Sequence, residues 1–348
     1  MDARTESRLY WQARSLAAAG PGILVRTRGT TADPLWCFRT LDQMARETAA
    51  WHSLFANRDW VPGQRVVVAL ANRDLAAAIQ RAATEYGLVG VAVPEMDALE
   101  VQALLAAPYL VTSPLTAYRL FLRSTLSDVR ELWLTGDVTG QGALQKRLSE
   151  FLPDLAVRDV YALTEHPGPL AVSCAAGRWH WLDPASILRD GHEVVPGQEG
   201  TAVLPLGPYD TGDVVTKLPS DCTCGQPGEM VTSPVWGRES EIRWTRGGWL
   251  APSHLAQAWY RTEGLSDRLR ATLRRDPERG ADVLEVECTI LEGYDAARTL
   301  ARFQELLERA AGTMVEIAVR EARALWPPMT CQIADQRADG SHPKGWID

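Results

Sequence analysis

The residues of this chain that are able to do chemistry gather between Tyr161 and Arg238. In order they are Tyr161-Ala-Leu-Thr-Glu165, Cys174, His180, Tyr209-Asp-Thr-Gly-Asp213, Cys222-Thr-Cys224-Gly and Gly237-Arg238. Two chemistries are interleaved here. Hydroxyls, carboxylates and an arginine suit phosphate, ribose and a hard divalent cation. Three thiols and an imidazole suit a softer one. Cys174, His180, Cys222 and Cys224 form a Cys3His set fit for tetrahedral Zn2+, and four protein ligands would leave no open position, so the site would be structural. Pro219, Gly225 and Pro227 frame Cys222 and Cys224 as a tight turn. Free buried thiols and a surface histidine are the alternative reading of the same residues.

A second candidate lies earlier, in Arg28-Gly-Thr-Thr-Ala-Asp-Pro34. A small-residue loop carrying Thr30 and Thr31 between two β-type runs can cradle phosphate through amides and hydroxyls. A plain hairpin turn has the same composition.

The elements that must hold these residues follow from hydrophobic period. A short amphipathic helix is expected over 8–19, then strands over 23–27 and 36–40. A helix over 41–57, a strand over 65–70, a helix over 75–86 and a strand over 90–94 give the alternation of a parallel sheet covered by helices. The alternation continues with a helix over 99–106, a strand over 109–112, a helix from 115, a strand over 131–135, a helix over 141–152 and a strand over 157–161. Ligands of open α/β sheets bind beyond the carboxyl ends of strands. That places Gly136-Asp137 and Ala162-Leu-Thr-Glu-His166 beside the site, with Thr164 and Glu165 as candidates for phosphate and Mg2+ or as an ordinary polar loop. After Gly168 the texture becomes short β-type runs, read as a β subdomain. Beyond Arg238, a helix over 255–273, a strand over 283–291, a helix over 296–310 and a strand over 314–319 predict a small α+β unit. The division is therefore 1–238 and 239–348.

Composition narrows the class. The chain has 348 residues, enough for two domains, with 46% hydrophobic and 23% charged residues. A net charge of −8 with mixed signs argues against nucleic acid as a partner. No apolar run is long enough for a membrane span and the first residues lack a signal core, so the cytoplasm is the expected compartment. Six cysteines are too few for a disulfide scaffold.

Taken together, these motifs resemble the adenylate-forming enzymes. The resemblance rests on Arg28-Gly-Thr-Thr-Ala-Asp-Pro34, Tyr161-Ala-Leu-Thr-Glu165, Tyr209-Asp-Thr-Gly-Asp213, Gly237-Arg238 and Lys344-Gly, found in that order. The phenylacetate–CoA ligase branch is the most similar. It often carries a Cys-x-Cys-Gly turn at this place, and some members bind zinc with an upstream Cys and His. The resemblance implies a large amino-terminal domain and a carboxy-terminal lid joined near Arg238 to Glu241. It implies attack of a small, aryl or heteroaryl carboxylic acid on the α-phosphate of ATP, then transfer to CoA, a carrier-protein thiol or an amine. Thr30 and Thr31 would contact phosphates, Thr164 the α-phosphate and Glu165 the Mg2+. Tyr161 belongs to the nucleotide set, Asp213 and Arg238 would bind the ribose, and Lys344 would bridge carboxylate and phosphate. Trp133, Gly136 and His166 would line the acid pocket.

The chain also departs from that pattern. Ala32-Asp33-Pro34-Leu35 stands where the family has Gly-Lys, and the Asp33 carboxylate would repel phosphate, with Arg28 as partial compensation. A specialised biosynthetic pathway, such as that of an antibiotic, is expected. The alternatives are a non-catalytic scaffold of the same fold, or activation of another oxyanion such as nitrite. A homodimer is compatible with all of them.

Overall fold

The computed structural model describes residues 12–13, 15–17, 20–27, 34–182, 187–190, 199–204, 209–224, 230–245, 248–312, 315–322 and 332–337. Strands β1 (Gly22–Arg26) and β2 (Trp36–Thr40) form an antiparallel hairpin. Helix α1 (Leu41–Ala56) begins on Thr40, whose hydroxyl accepts from the Gln43 N–H while Gln43 caps back. Then β3 (Arg65–Ala69), α2 (Arg73–Tyr86) and β4 (Val89–Val93) make the first parallel unit, followed by α3 (Ala98–Leu105). Strand β5 (Tyr109–Thr112), α4 (Pro114–Leu122), β6 (Glu131–Leu134), α5 (Ala143–Phe151) and β7 (Ala156–Ala162) extend it. The strands run in the order β4-β3-β5-β6-β7, all parallel.

From β7 the same sheet continues with antiparallel neighbours. Strands β8 (Pro169–Ser173), β9 (Trp179–Trp181), β10 (Ile187–Asp190), β11 (Glu199–Leu204), β12 (Tyr209–Leu218) and β13 (Val231–Thr232) complete the path β10-β11-β12-β13-β9-β8-β7. Strand β14 (Gly237–Arg238) pairs with β12. The expected β subdomain is thus continuous with the parallel sheet.

The small hairpin of β15 (Arg243–Thr245) and β16 (Gly248–Leu250) leads into α6 (Pro252–Arg261). Strands β17 (Leu265–Arg275) and β18 (Asp282–Ile290), helix α7 (Ala296–Ala311), β19 (Glu316–Glu321) and β20 (Ile333–Asp335) close the chain in a sheet ordered β19-β18-β17-β20. The helix expected over 255–273 is therefore two elements. It stops at Arg261, and Gly264 turns the chain at φ +83°, where a Cβ would lie 2.6 Å from the Tyr294 ring. Beyond it Leu269, Ala271 and Leu273 alternate with Arg268, Arg270 and Arg274, the period of a strand.

Alternation along β3 divides the core between two faces. Val66 and Val68 pack under α1 and α2 with Trp51, Phe55 and Ile79. Val67 and Ala69 pack under α3 to α5. That second cluster runs on without a break through Leu255 and Trp259 of α6, Leu269 and Leu273 of β17, and Phe303 of α7. Polar ties cross the same seam. The Tyr118 hydroxyl donates to the Leu265 carbonyl at 2.9 Å, and Arg119 pairs with Asp267 at 2.7 Å. Buried Arg147 donates to the carbonyls of Tyr260 and Thr262 at 2.8 and 2.7 Å. Among the described residues, no helix is long and apolar enough to cross a membrane.

Candidate functional site

The site is built where β7 ends and β12 passes beside it. Tyr161 sits near the end of β7 with its ring stacked on Trp179 at 4.9 Å and edge-on to Trp181 at 5.7 Å. Those two rings flank His180 on β9, so the aromatic wall and the thiol cluster share a strand. Buried in this way, the Tyr161 hydroxyl donates to Asp213 Oδ2 at 2.7 Å. Burial, and then the neighbouring Asp213 charge, hold its pKa well above the ordinary phenol value.

Asp213 lies on β12 in register with Arg238 of β14. Strand pairing brings the two side chains together, with Arg238 Nε 3.3 Å from Asp213 Oδ1. The Asp213 N–H donates to the Thr211 hydroxyl at 3.0 Å, which fixes the start of the carboxylate's approach. Arg238 is held above its ordinary range by Asp213 first, with Glu165 and Glu241 contributing. Glu165 is thus within electrostatic reach of the Asp213–Arg238 pair. Its charge also acts on buried Cys37 of β2, whose thiol burial pushes up. Gly237 at φ +151° lets Pro252 come within 2.6 Å of where a Cβ would stand, so α6 abuts the β14 strand directly. The Arg238 N–H donates to Glu241 at 2.9 Å, giving the acidic residue after Gly-Arg a backbone role.

Tyr161, Asp213 and Arg238 are therefore one cluster, and the charge of Glu165, the residue after Thr164, reaches Arg238. Arg28, Thr30, Thr31 and Lys344 lie outside the described residues. Of the expected pocket residues, Gly136 has open space on its Cβ side and follows β6 at the carboxyl end of the sheet. His166 is buried beside the Gly168 carbonyl. Trp133 departs from the expectation. It is fully buried, stacks on Trp60 at 4.3 Å and Phe55 at 5.5 Å, and donates to Glu131 at 2.8 Å, so its faces and its N–H serve the core. The Leu132-Trp-Leu134 run gave no sequence signal separating pocket from core.

Two residues of the site were not legible in sequence. Arg39 of β2 is buried and donates to the carbonyls of Thr164 and His166, and Asn72 donates to the Thr164 hydroxyl. Their only local signals were a charge in an otherwise alternating strand and an N-cap residue before α2.

The second centre is the thiol cluster. The ligand atoms of Cys174, His180, Cys222 and Cys224 all lie within 4.8 Å of one another. Cys174 Sγ is 3.9 Å from Cys222 Sγ, and Cys224 Sγ is 3.2 Å from His180 Nε2. Zn–S bonds of about 2.3 Å in a tetrahedron put sulfurs roughly 3.8 Å apart, so the donor set fits the ion. Gln145 of α5 donates to the Cys174 carbonyl at 3.3 Å and steadies the β8–β9 turn from behind.

Comparison with solved structures agrees with this fold. A 2-hydroxyisobutyryl-CoA ligase in its postadenylation state superposes with a TM-score of 0.72 at 14% identity, over 93% of this chain and 78% of that one. The anthranilate CoA ligase AuaEII in complex with anthranoyl-AMP gives 0.64 at 14% identity, over 89% and 64%. The amide bond synthetase McbA from Marinactinospora thermotolerans gives 0.60 at 15%, over 89% and 67%. No protein-family model and no curated protein sequence matches the chain. The chain has the fold of the adenylate-forming ligases.

Proposed function

We propose that this chain is an AMP-forming acid ligase, activating a small carboxylic acid with ATP and passing the acyl group to a thiol or an amine. The observation that carries the reading is Asp213, held between the Tyr161 hydroxyl and Arg238 with Glu165 in electrostatic range. A structural ion pair needs no such convergence of hydroxyl, carboxylate and guanidinium at the carboxyl end of a sheet. The superposed proteins are two CoA ligases, each with an acyl-AMP bound, and an amide bond synthetase, which supports the same class here.

In this reading the Asp213 carboxylate accepts the ribose hydroxyls and Arg238 orients it. Thr164 donates to the α-phosphate, and Glu165 supplies a hard oxygen for Mg2+. Lys344 would meet the charge that builds on phosphorus as the acid attacks, and a Mg2+ held by Glu165 would supply further stabilisation of that charge. The acid enters beside Gly136 and His166, and an aromatic acid is the preferred class. CoA, a carrier-protein thiol and an amine are the acceptor classes. Zn2+ on Cys174, His180, Cys222 and Cys224 pins the loop after β12 to β9. Residues 239–348 are the carboxy-terminal part of the ligase, and its α6, β17 and α7 share their core with the parallel sheet. We place the protein in the cytoplasm, in a specialised biosynthetic pathway. Acid-dependent exchange of pyrophosphate into ATP tests the class: exchange with one carboxylic acid supports it. Nucleotide binding without exchange for any acid, nitrite included, would instead mark a scaffold.

A further inference from the structure

We infer that Arg39 and Asn72 are the positioning residues of the Thr164–Glu165 turn, one setting its backbone and the other the direction of the Thr164 hydroxyl. The inference rests on the proposal that this turn receives a phosphate and its Mg2+.

Arg39 is 5% exposed. One guanidinium nitrogen donates to Glu47 on α1, and the other donates to the carbonyls of Thr164 and His166, the latter at 2.7 Å. The second Glu47 oxygen takes Arg81 of α2 at 3.2 Å, so the buried charges are matched. The result is a rigid line from two helices to the turn. Pulling the carbonyls of residues 164 and 166 toward one guanidinium fixes the 164–165 and 166–167 peptide planes, which bracket the Glu165–His166 pair. Thr164 and His166 are buried, whereas Glu165 between them is half-buried and reaches the charge of Arg238. A planar fork can hold two carbonyls and a carboxylate at once; an ammonium cannot hold them in that geometry.

Asn72 works on the side chain. Its Oδ1 accepts the Asp74 and Leu75 N–H groups at 3.1 Å each, as the N-cap of α2. Those two donors identify the amide oxygen, so the group meeting Thr164 Oγ1 is the NH2, and it donates. A hydroxyl that accepts from Asn72 keeps its own hydrogen for another acceptor. Asn72 thereby makes Thr164 a donor, the polarity an anion requires.

The test uses the zinc-loaded full chain with Arg39→Lys, Asn72→Ser, Thr164→Val and the double Asn72→Ser/Thr164→Val variant. Serine preserves the helix cap but has no amide to offer Thr164. We expect Asn72→Ser and Thr164→Val each to raise KM for Mg·ATP in pyrophosphate exchange about tenfold, with the acid's KM and the melting temperature nearly unchanged. The double variant should be no worse than Thr164→Val alone. In nucleotide-free protein, Arg39→Lys should lower hydrogen-exchange protection of residues 163–168 about tenfold. Additive effects in the double variant, or unchanged protection in Arg39→Lys, would overturn the inference. A wild-type protein that supports no exchange with any acid would remove the proposed function instead. The positioning roles would then be decided by hydrogen exchange in Arg39→Lys and Asn72→Ser.

Discussion

Tyr161, Asp213 and Arg238 illustrate how a buried carboxylate is held and aimed. A phenol donates to one of its oxygens and a guanidinium lies against the other, while main-chain pairing of β12 with β14 sets the spacing. The same three residues stood out in the sequence because each sits in a short polar motif between apolar strands. Arg39 and Asn72 did not, because their partner Thr164 lies 125 and 92 residues away and nothing local marks the pairing. Lys344 belongs to this scale as well. Lys344→Ala should abolish acid-dependent pyrophosphate exchange while the thermal melt stays within about a degree of wild type; an unchanged exchange rate would remove the lysine from the chemistry.

Strands β7 and β9 link the two centres. Tyr161 on β7 packs against Trp179 and Trp181, and these flank the His180 that completes the thiol cluster. Cys222→Ser should therefore lower bound zinc below one equivalent and lower the melting temperature together. A chelator should destabilise the wild type but not the variant, because only a bound ion adds stability by mass action. Full zinc content in Cys222→Ser would contradict the four-ligand assignment. On the same strand, burial pushes the Asp159 carboxyl up to about 7 although it accepts from Thr139 at 2.7 Å. The folded state thus keeps Asp159 protonated through a range in which the unfolded chain, with an ordinary carboxyl near 3.9, has already lost the proton. Stability should fall as pH rises from about 4 to about 7, by about 4 kcal/mol if the whole shift is realised. Asp159→Asn should flatten that slope in urea melts taken across the window, and an identical slope would assign the dependence elsewhere. Element types were largely legible because helix and strand periods are long and regular up to β7. The segment 255–273 was not, because α6 and β17 are separated only by Thr262-Glu-Gly264 and both are rich in inward apolar residues. Trp133 was misplaced for a related reason. A tryptophan at a strand end reads the same in sequence whether it lines a crevice or closes the stack of Trp51, Phe55 and Trp60.

Across the whole molecule, one apolar cluster joins the parallel sheet, helices α3 to α6 and the β17–β18–α7 unit. The boundary drawn near Arg238 in the sequence marks a change of texture, and the core crosses it. Heat should therefore unfold the described body in one cooperative step. Phe303→Ala, which empties a fully buried site in α7, should cost about 3–5 kcal/mol and move that single transition as a whole. Two separated transitions in calorimetry, with only the later part of the chain shifted, would show independent units. In the proposed function this body carries a working nucleotide site. Its most direct test is titration calorimetry of Mg·ATP and of AMP against the zinc-loaded protein and its Asp213→Asn variant. Micromolar binding by the wild type is expected, weakened on the order of a hundredfold in Asp213→Asn, because a charged acceptor to the ribose is worth about 3 kcal/mol. Absence of binding by the wild type, or equal binding by the variant, would contradict it.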